Sequence, residues 1–161
     1  MKCRWKNLNE GREKIANFLR EYGDGLPEDA IEKATETKMV YNFATECDKH
    51  NEITALATYD DNDWYLCTVR YLATRPDQRR KGLGKKVINE VMRKAKKDGS
   101  CMVMAADITH DNIGSKKIFY KHGFKELNRF CWGKNDKPAD ILQLVRFPDK
   151  GNKCKHHKEL D

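Results

Sequence analysis

Long hydrophobic runs are missing from this sequence. No stretch approaches the roughly 18 apolar residues that a membrane-spanning helix needs. Met1 to Asn9 is polar and charged, without the apolar centre of a secretory signal. Proline is scarce and no Pro-rich or Gly/Ser-rich linker divides the 161 residues. One domain over 1–148 is therefore expected. The six cysteines, Cys3, Cys47, Cys67, Cys101, Cys131 and Cys154, make no C-x-x-C pair and no zinc-ligand spacing. Their scatter reads as reduced thiols of a cytoplasmic protein, not as a disulfide framework. The apolar pattern fades at the end, so 149–161 reads as a flexible basic tail. Its Cys154, His156 and His157 belong to that tail rather than to a metal site.

Positive charge is what the chain has in excess. Lysine and arginine total 32 against 25 aspartates and glutamates, a net charge of +7. Such a surface favours anionic partners: nucleotide phosphates, nucleic acid or an acidic protein. Lys85, Lys86, Arg93, Lys94, Lys96 and Lys97 supply much of it, and Lys116, Lys117 and Lys121 extend it. A solvated lysine face accounts for the same residues.

Periodicity divides the chain into elements. Ile15, Phe18, Leu19 and Tyr22 recur at helical spacing, predicting a helix over Asn9–Tyr22 capped by Asn9. Pro27 opens a second helix over Glu28–Lys38. Met39–Cys47, Glu52–Tyr59 and Trp64–Thr74 are rich in β-branched and aromatic residues and are separated by turn chemistry, which predicts an antiparallel meander. Leu83, Val87, Ile88, Val91, Met92 and Ala95 form one stripe of a helix over Gly82–Lys97. A buried strand over Cys101–Asp107 follows. Then comes a helix capped by Asp111 or Asn112 and stopped by Gly123, and strands over Phe124–Trp132 and Asp140–Phe147. With a short first strand over 2–7, the order is βααβββαβαββ. This is an α/β fold with a mixed, mostly antiparallel sheet flanked by helices.

The informative segment runs from Leu72-Ala73-Thr74 through Arg79-Arg80-Lys81-Gly82-Leu83-Gly84-Lys85. A strand ends, a basic loop follows, and a helix starts at two glycines. Helix N-termini expose unpaired N–H groups, and glycine lets a phosphate approach the backbone. Arg79-x-x-Gly82-x-Gly84 after this strand resembles the acyl-coenzyme A signature of the Gcn5-related N-acetyltransferases (GNAT). The segment Asn112 to Gly123-Phe124 resembles the family's second signature. The element order is similar over roughly 1–147.

The resemblance implies the acyl-CoA N-acyltransferase fold, acetyl-CoA as cofactor, and transfer of acetyl to an amine by direct attack. N–H groups from Gln78 or Arg79 through Lys85 would hold the pyrophosphate. Leu72, Ala73 and Thr74 would pair with the pantetheine arm, with the N–H of Leu72 or Ala73 at the thioester oxygen. Asn112 would bond the pantetheine amide, with Ser115 and Phe119 nearby. Tyr120 is the candidate general acid, although the family tyrosine usually stands one residue earlier, where Phe119 is. The third strand carries no glutamate to act as base; Glu46, Asp107, His110 and Asp111 are the candidates. The acceptor is a small or protein amine, or alternatively an RNA-linked amine such as an aminoacyl-tRNA. A non-catalytic module binding CoA or a partner is the remaining alternative. Phe18, Tyr22, Phe130 and Trp132 are candidates for the acceptor pocket or for the core. A homodimer by exchange of the last strand is available to such a sheet.

Overall fold

The computed structural model describes residues 1–23, 26–36, 43–61, 66–98, 101, 103–132 and 137–144. Helix α1 (Leu8–Tyr22) starts at Asn7, whose side-chain oxygen accepts the Glu10 N–H at 2.9 Å. Glu10 in turn accepts the Lys6 N–H at 2.7 Å, closing the first turn from both sides. The expected cap, Asn9, lies inside the helix. Helix α2 (Glu28–Ala34) takes Pro27 as its cap and stops at Thr35, whose hydroxyl donates back to Ile31 C=O at 2.9 Å. It is shorter than the expected Glu28–Lys38.

Strands β1 (Phe43–Cys47), β2 (Ile53–Asp61) and β3 (Leu66–Thr74) form the antiparallel meander. Helix α3 (Leu83–Asp98), β4 (Val103–Thr109), α4 (Ile113–Lys121), β5 (Lys125–Trp132) and β6 (Lys137–Leu144) complete the chain. The outer parts of the expected strands at 39–42, 64–65 and 145–147 lie outside the described residues, as does the expected tail 149–161. All six strands join one sheet in the order β1-β2-β3-β4-β6-β5. Only β3 and β4 are parallel, which the crossover through α3 permits. The first strand expected over 2–7 is reduced to a single bridge between Lys2 and Glu46. No helix of the described residues is long and apolar enough to cross a membrane.

Each face of the sheet carries its own core. On one, Val87, Ile88, Val91 and Ala95 of α3 and Phe119 of α4 pack against Tyr59, Cys67, Val69, Met104, Ala106 and Ile108. On the other, Ile15, Phe18 and Leu19 of α1 and Ile31 of α2 pack against Phe43, Ile53 and Leu56. Phe18 is therefore core, with Tyr22 half-buried beside it. The side chains of Phe130 and Trp132 are outside those described.

The reading of all cysteines as thiols is corrected at one edge. Cys3 and Cys47 form a disulfide, with Cα atoms 5.0 Å apart. Cys67 and Cys101 are buried thiols. The bridge ties the segment before α1 to β1. There Cys47 N–H also donates to Met1 C=O at 2.7 Å, and the Asn51 side chain accepts from Arg4 N–H and donates to Arg4 C=O. Closing a loop across 44 positions restricts the unfolded chain by about 2–4 kcal/mol. Reduction, or Cys3→Ser, is expected to lower the unfolding free energy in urea by that amount. An unchanged midpoint would show that the bridge does not form.

Two carboxylates fasten α3 to the same edge. Burial pushes Glu46 up, but Lys86 at 2.8 Å and the N-terminal ammonium at 2.6 Å outweigh it, leaving the group below its ordinary value. The Arg93 hydrogen bond takes Glu90 down to about 2 against burial, with Lys2 and Lys94 adding to it. Depressed carboxylates stabilise the fold above their unfolded pKa, and that stability is lost as pH falls through the folded value. Stability should therefore decline between about pH 5 and pH 2, and a Glu46→Gln/Glu90→Gln variant should show a shallower decline in urea titrations.

Candidate active site

The site begins at a β-bulge. Thr58 pairs with Tyr71 and Tyr59 with Val69, so Arg70 is an extra residue in β3. A bulge bends its strand and increases the twist. On the other side, the parallel pairing of β3 with β4 ends at Val69 with Ala106, the position just before the bulge. From Arg70 to Thr74, β3 pairs with β2 alone, while β4 continues along β6 to Thr109. The two central strands thus part, and one edge of β3 is left open.

Register decides which groups face the opening. Arg75 N–H donates to Thr54 C=O at 2.9 Å, so Arg75 and Thr54 form a hydrogen-bonded pair of the β2–β3 ladder. Such pairs alternate with pairs whose N–H and C=O point outward. Ala73 and Tyr71 therefore bond toward β2, and Leu72 and Thr74 present N–H and C=O to the open edge. Of the two expected candidates for the thioester oxygen, the Leu72 N–H faces the open edge and the Ala73 N–H faces β2.

Beyond Thr74 the chain makes a tight 3-10 turn over Pro76–Gln78. Arg75 is held by Asp77 at 2.7 Å and Asp48 at 3.4 Å. Gln78 and Arg79 N–H donate to Arg75 and Pro76 C=O, so these two donors, expected to serve a phosphate, are spent within the turn. Arg79 Nε donates to Thr74 C=O at 3.3 Å, and Lys81 donates to Gln78 at 2.9 Å. Arg80 (φ 62) and Gly82 (φ 77) both adopt left-handed backbone. The first intrahelical-type bond of this corner is Lys86 N–H to Gly82 C=O. Among the described residues, N–H groups from Arg80 through Lys85 have no backbone partner, and neither Arg80 nor Lys85 has a side-chain partner.

The two glycines serve different ends. A Cβ at Gly82 would meet nothing within 4 Å; this glycine answers to its φ, and the space beside it is open. A Cβ at Gly84 would lie 3.0 Å from Ile118 Cδ1 and 3.6 Å from Thr74 Oγ1. Gly84 thus lets α3 close against α4 and β3. This corner fits a diphosphate: unpaired N–H groups at a helix N-terminus, two uncommitted cations and open space.

Across the opening, Asn112 caps α4 through its side-chain oxygen, which accepts Ser115 N–H at 3.1 Å. Its amide N–H groups remain for a ligand. Phe119, expected among the cofactor residues, is 2% exposed and packs edge-on against Phe124; it is core. Tyr120 is exposed, and its hydroxyl donates to Glu126 at 3.4 Å. His110 and Asp111 sit in the exposed turn after β4, with Lys116 Nζ 3.3 Å from His110 Nδ1.

Strand alternation sorts the remaining carboxylates by face. Glu46 pairs with Ala55, a residue of the α3-side core. It is buried and committed to Lys86, so it is not available as a base. Tyr59, Cys67, Val69, Met104 and Ala106 also belong to that side, which places Asp60, Thr68, Ala105 and Asp107 on the α1/α2 side. Asp60 pairs in register with Thr68, and Thr68 with Ala105. Arg70 Nε donates to Asp60 Oδ2 at 2.6 Å, while Asp60 Oδ1 is buried without a hydrogen-bond partner. Burial, with Asp60 nearby, raises Tyr71 above its ordinary value and keeps the phenol protonated. Sequence reasoning missed Asp60, Arg70 and Tyr71. The available signal was a lone arginine in an otherwise neutral strand.

Charge is divided along the same line. Residues 75–98 hold ten basic and three acidic side chains, a surplus equal to the +7 of the whole chain. Residues 8–74 hold seven basic and fourteen acidic ones. The densest positive charge belongs to the loop and α3; with Lys2, Arg4 and Lys6 counted, residues 1–74, which carry α1, α2 and β1–β3, remain acidic at fourteen to ten.

Comparison with known proteins agrees with this architecture. The profile described as the Acetyltransferase (GNAT) family matches residues 12–124. The chain belongs to the GNAT acetyltransferase family. Its fold is similar to Ard1 from Thermoplasma volcanium, with TM-score 0.72 at 10% identity over 90% of this chain and 97% of that one. It is also similar to the ribosomal-protein-S18-alanine N-acetyltransferase of Escherichia coli, with TM-score 0.68 at 13% identity over 95% and 97%. A third similar structure is yncA from Salmonella typhimurium, solved with its cofactor acetyl-CoA, with TM-score 0.66 at 16% identity over 93% and 95%. No curated protein sequence matches significantly.

The glycine assignments separate experimentally. Gly84→Val should destabilise the fold by about 1–3 kcal/mol, because Ile118 must give way. Gly82→Ala should cost about 1–2 kcal/mol from backbone strain alone. Urea denaturation of both variants checks this, and a neutral Gly84→Val would overturn the packing role.

Proposed function

We propose that the chain is an N-acetyltransferase that moves acetyl from acetyl-CoA to an amine by direct attack, without a covalent enzyme intermediate. The observation that carries this reading is the open edge of β3 followed, beyond the 3-10 turn, by the unpaired N–H groups of 80–85. Acetyl-CoA supplies the activated acetyl thioester. Leu72 offers its N–H and C=O, and Thr74 its N–H, along the edge where an amide-bearing pantetheine arm can add as a strand; the Thr74 C=O already accepts from Arg79 Nε. The Leu72 N–H, directed to the open edge, would be the donor to a thioester oxygen gaining negative charge when acetyl-CoA is bound. Arg80, Lys85 and the N-terminus of α3 hold the diphosphate, and the Asn112 amide donates to the arm from the far side.

Positioning the amine against the thioester contributes a large part of the acceleration. The acceptor approaches from the α1/α2 face, since α3 and α4 close the other. An RNA-linked acceptor fits poorly, because the positive surplus sits at the cofactor loop and the acceptor half is negative. The side-chain hydroxyl of Tyr120 is engaged with Glu126 on the exposed flank of α4, and Phe119 occupies the usual tyrosine position within the core. Tyr120→Phe is therefore expected to keep its kcat within about threefold. A loss of about 100-fold, typical of removing a general acid, would restore Tyr120 to the chemistry.

Isothermal titration with acetyl-CoA and with CoA tests the cofactor site directly. Micromolar binding is expected, weakened about tenfold or more in an Arg80→Ala/Lys85→Ala variant, since each charged hydrogen bond contributes about 1.5–3 kcal/mol. Absence of binding by folded wild-type protein would sink the enzyme reading and leave a partner-binding module.

A further inference from the structure

The acceptor face has a feature that the acetyl-transfer reading alone does not require. Asp107 is the first residue of β4 beyond the last β3–β4 pair, at the apex where the strands part. It is exposed, faces the α1/α2 side, and has no hydrogen-bond or ion-pair partner among the described residues. Its counterpart across the apex is Arg70, but that guanidinium is already committed to Asp60. Asp60 is only half compensated, since its second oxygen is buried and unpartnered. Asp60, Arg70 and Asp107 together leave the apex one negative charge in excess, and residues 1–74, which supply α1, α2 and β1–β3, hold fourteen acidic and ten basic side chains.

Resting on the acetyl-transfer reading, we propose that the acceptor is an amine bearing a second positive charge, and that Asp107 anchors that charge. Such a molecule is drawn to the acidic half by its field, while the anionic cofactor is drawn to the basic loop and α3. The two reactants are thus sorted by sign to opposite sides of the same opening. The uncharged end of the β3 edge lies between them, where the nucleophilic nitrogen must arrive deprotonated. A second ammonium held at Asp107 keeps that nitrogen in register without requiring it to pair with a carboxylate itself. An anionic acceptor, nucleic acid included, would meet repulsion from the same half.

A matched set of amines tests this. Thiol release from acetyl-CoA is followed with hexamethylenediamine, n-hexylamine and ε-aminocaproate, which share a six-carbon chain and differ in the charge at the far end. Wild-type protein should favour the diamine over hexylamine by about tenfold or more in kcat/KM, the scale of one charged hydrogen bond, and should reject the carboxylate. In Asp107→Asn the preference should collapse toward unity through KM, and in Asp60→Asn it should fall. The wild-type preference should also shrink with added salt. Equal use of diamine and hexylamine would overturn the inference while leaving acetyl transfer in place. So would a loss in Asp107→Asn that appears equally in kcat for both amines, since that would mark a base and not an anchor. Turnover of none of the three by protein that binds acetyl-CoA would also overturn it. Protein that binds no acetyl-CoA would instead overturn the enzyme reading on which it rests.

Discussion

The structure turns on one extra residue. Arg70 interrupts the β2–β3 register at the point where β3 stops pairing with β4. Without the bulge, β3 would remain paired on both sides to its end, and the Leu72 and Thr74 amides would be spent on β4. The opening is thus produced inside the sheet and not by a surface loop. This matters energetically, because exposed strand edges are a liability. Here the unpaired groups are limited to a short run, flanked by α3 and α4 on one face and by the α1/α2 layer on the other.

The loop that follows inherits its geometry from that edge. Arg75 closes the β2–β3 ladder with its N–H and is clamped by Asp48 and Asp77 with its side chain. The 3-10 turn then uses up the next two donors, and the left-handed Arg80 and Gly82 turn the remaining N–H groups out. A non-glycine residue in left-handed backbone costs free energy, and Arg80 adopts it directly after a turn whose Gln78 and Arg79 N–H groups are bonded. The strain falls where donors must be held open and not where the chain packs.

Much of the architecture was legible because it is written locally. Helical stripes, turn chemistry between strands and the basic loop before α3 each lie within one window of sequence. What escaped depends on how distant segments meet. Asn7 and Asn9 are equally good caps by type; packing of Gly11 against Trp5, whose ring leaves no room for a Cβ there, goes with the start at Asn7. Cys3 and Cys47 look unrelated until the first residues lie along β1. Glu46 looked like a base candidate, yet its register with Ala55 sends it to the α3 face. The helix phase at Phe119 and Tyr120 was the exception. One residue rotates a helix by about 100°, which explains from the sequence why one ring is core and its neighbour faces outward.

A net charge does not say where on the fold it acts. A surplus of +7 on a small chain suggests nucleic acid. Resolved along the chain, the densest positive stretch is the loop and helix over 75–98, with ten basic and three acidic side chains, beside the corner that fits a polyanionic ligand. Residues 1–74, which supply α1, α2 and β1–β3 on the other side, hold fourteen acidic and ten basic side chains. Long-range fields act on a diffusing molecule through their local gradient as well as through the protein's total charge. A dipolar enzyme can therefore attract reactants of both signs to one cleft while keeping each from the other's subsite. The bulge places the boundary between the two fields: Arg70 and its partner Asp60 stand at the acidic face of the same residue run whose far end feeds the basic loop.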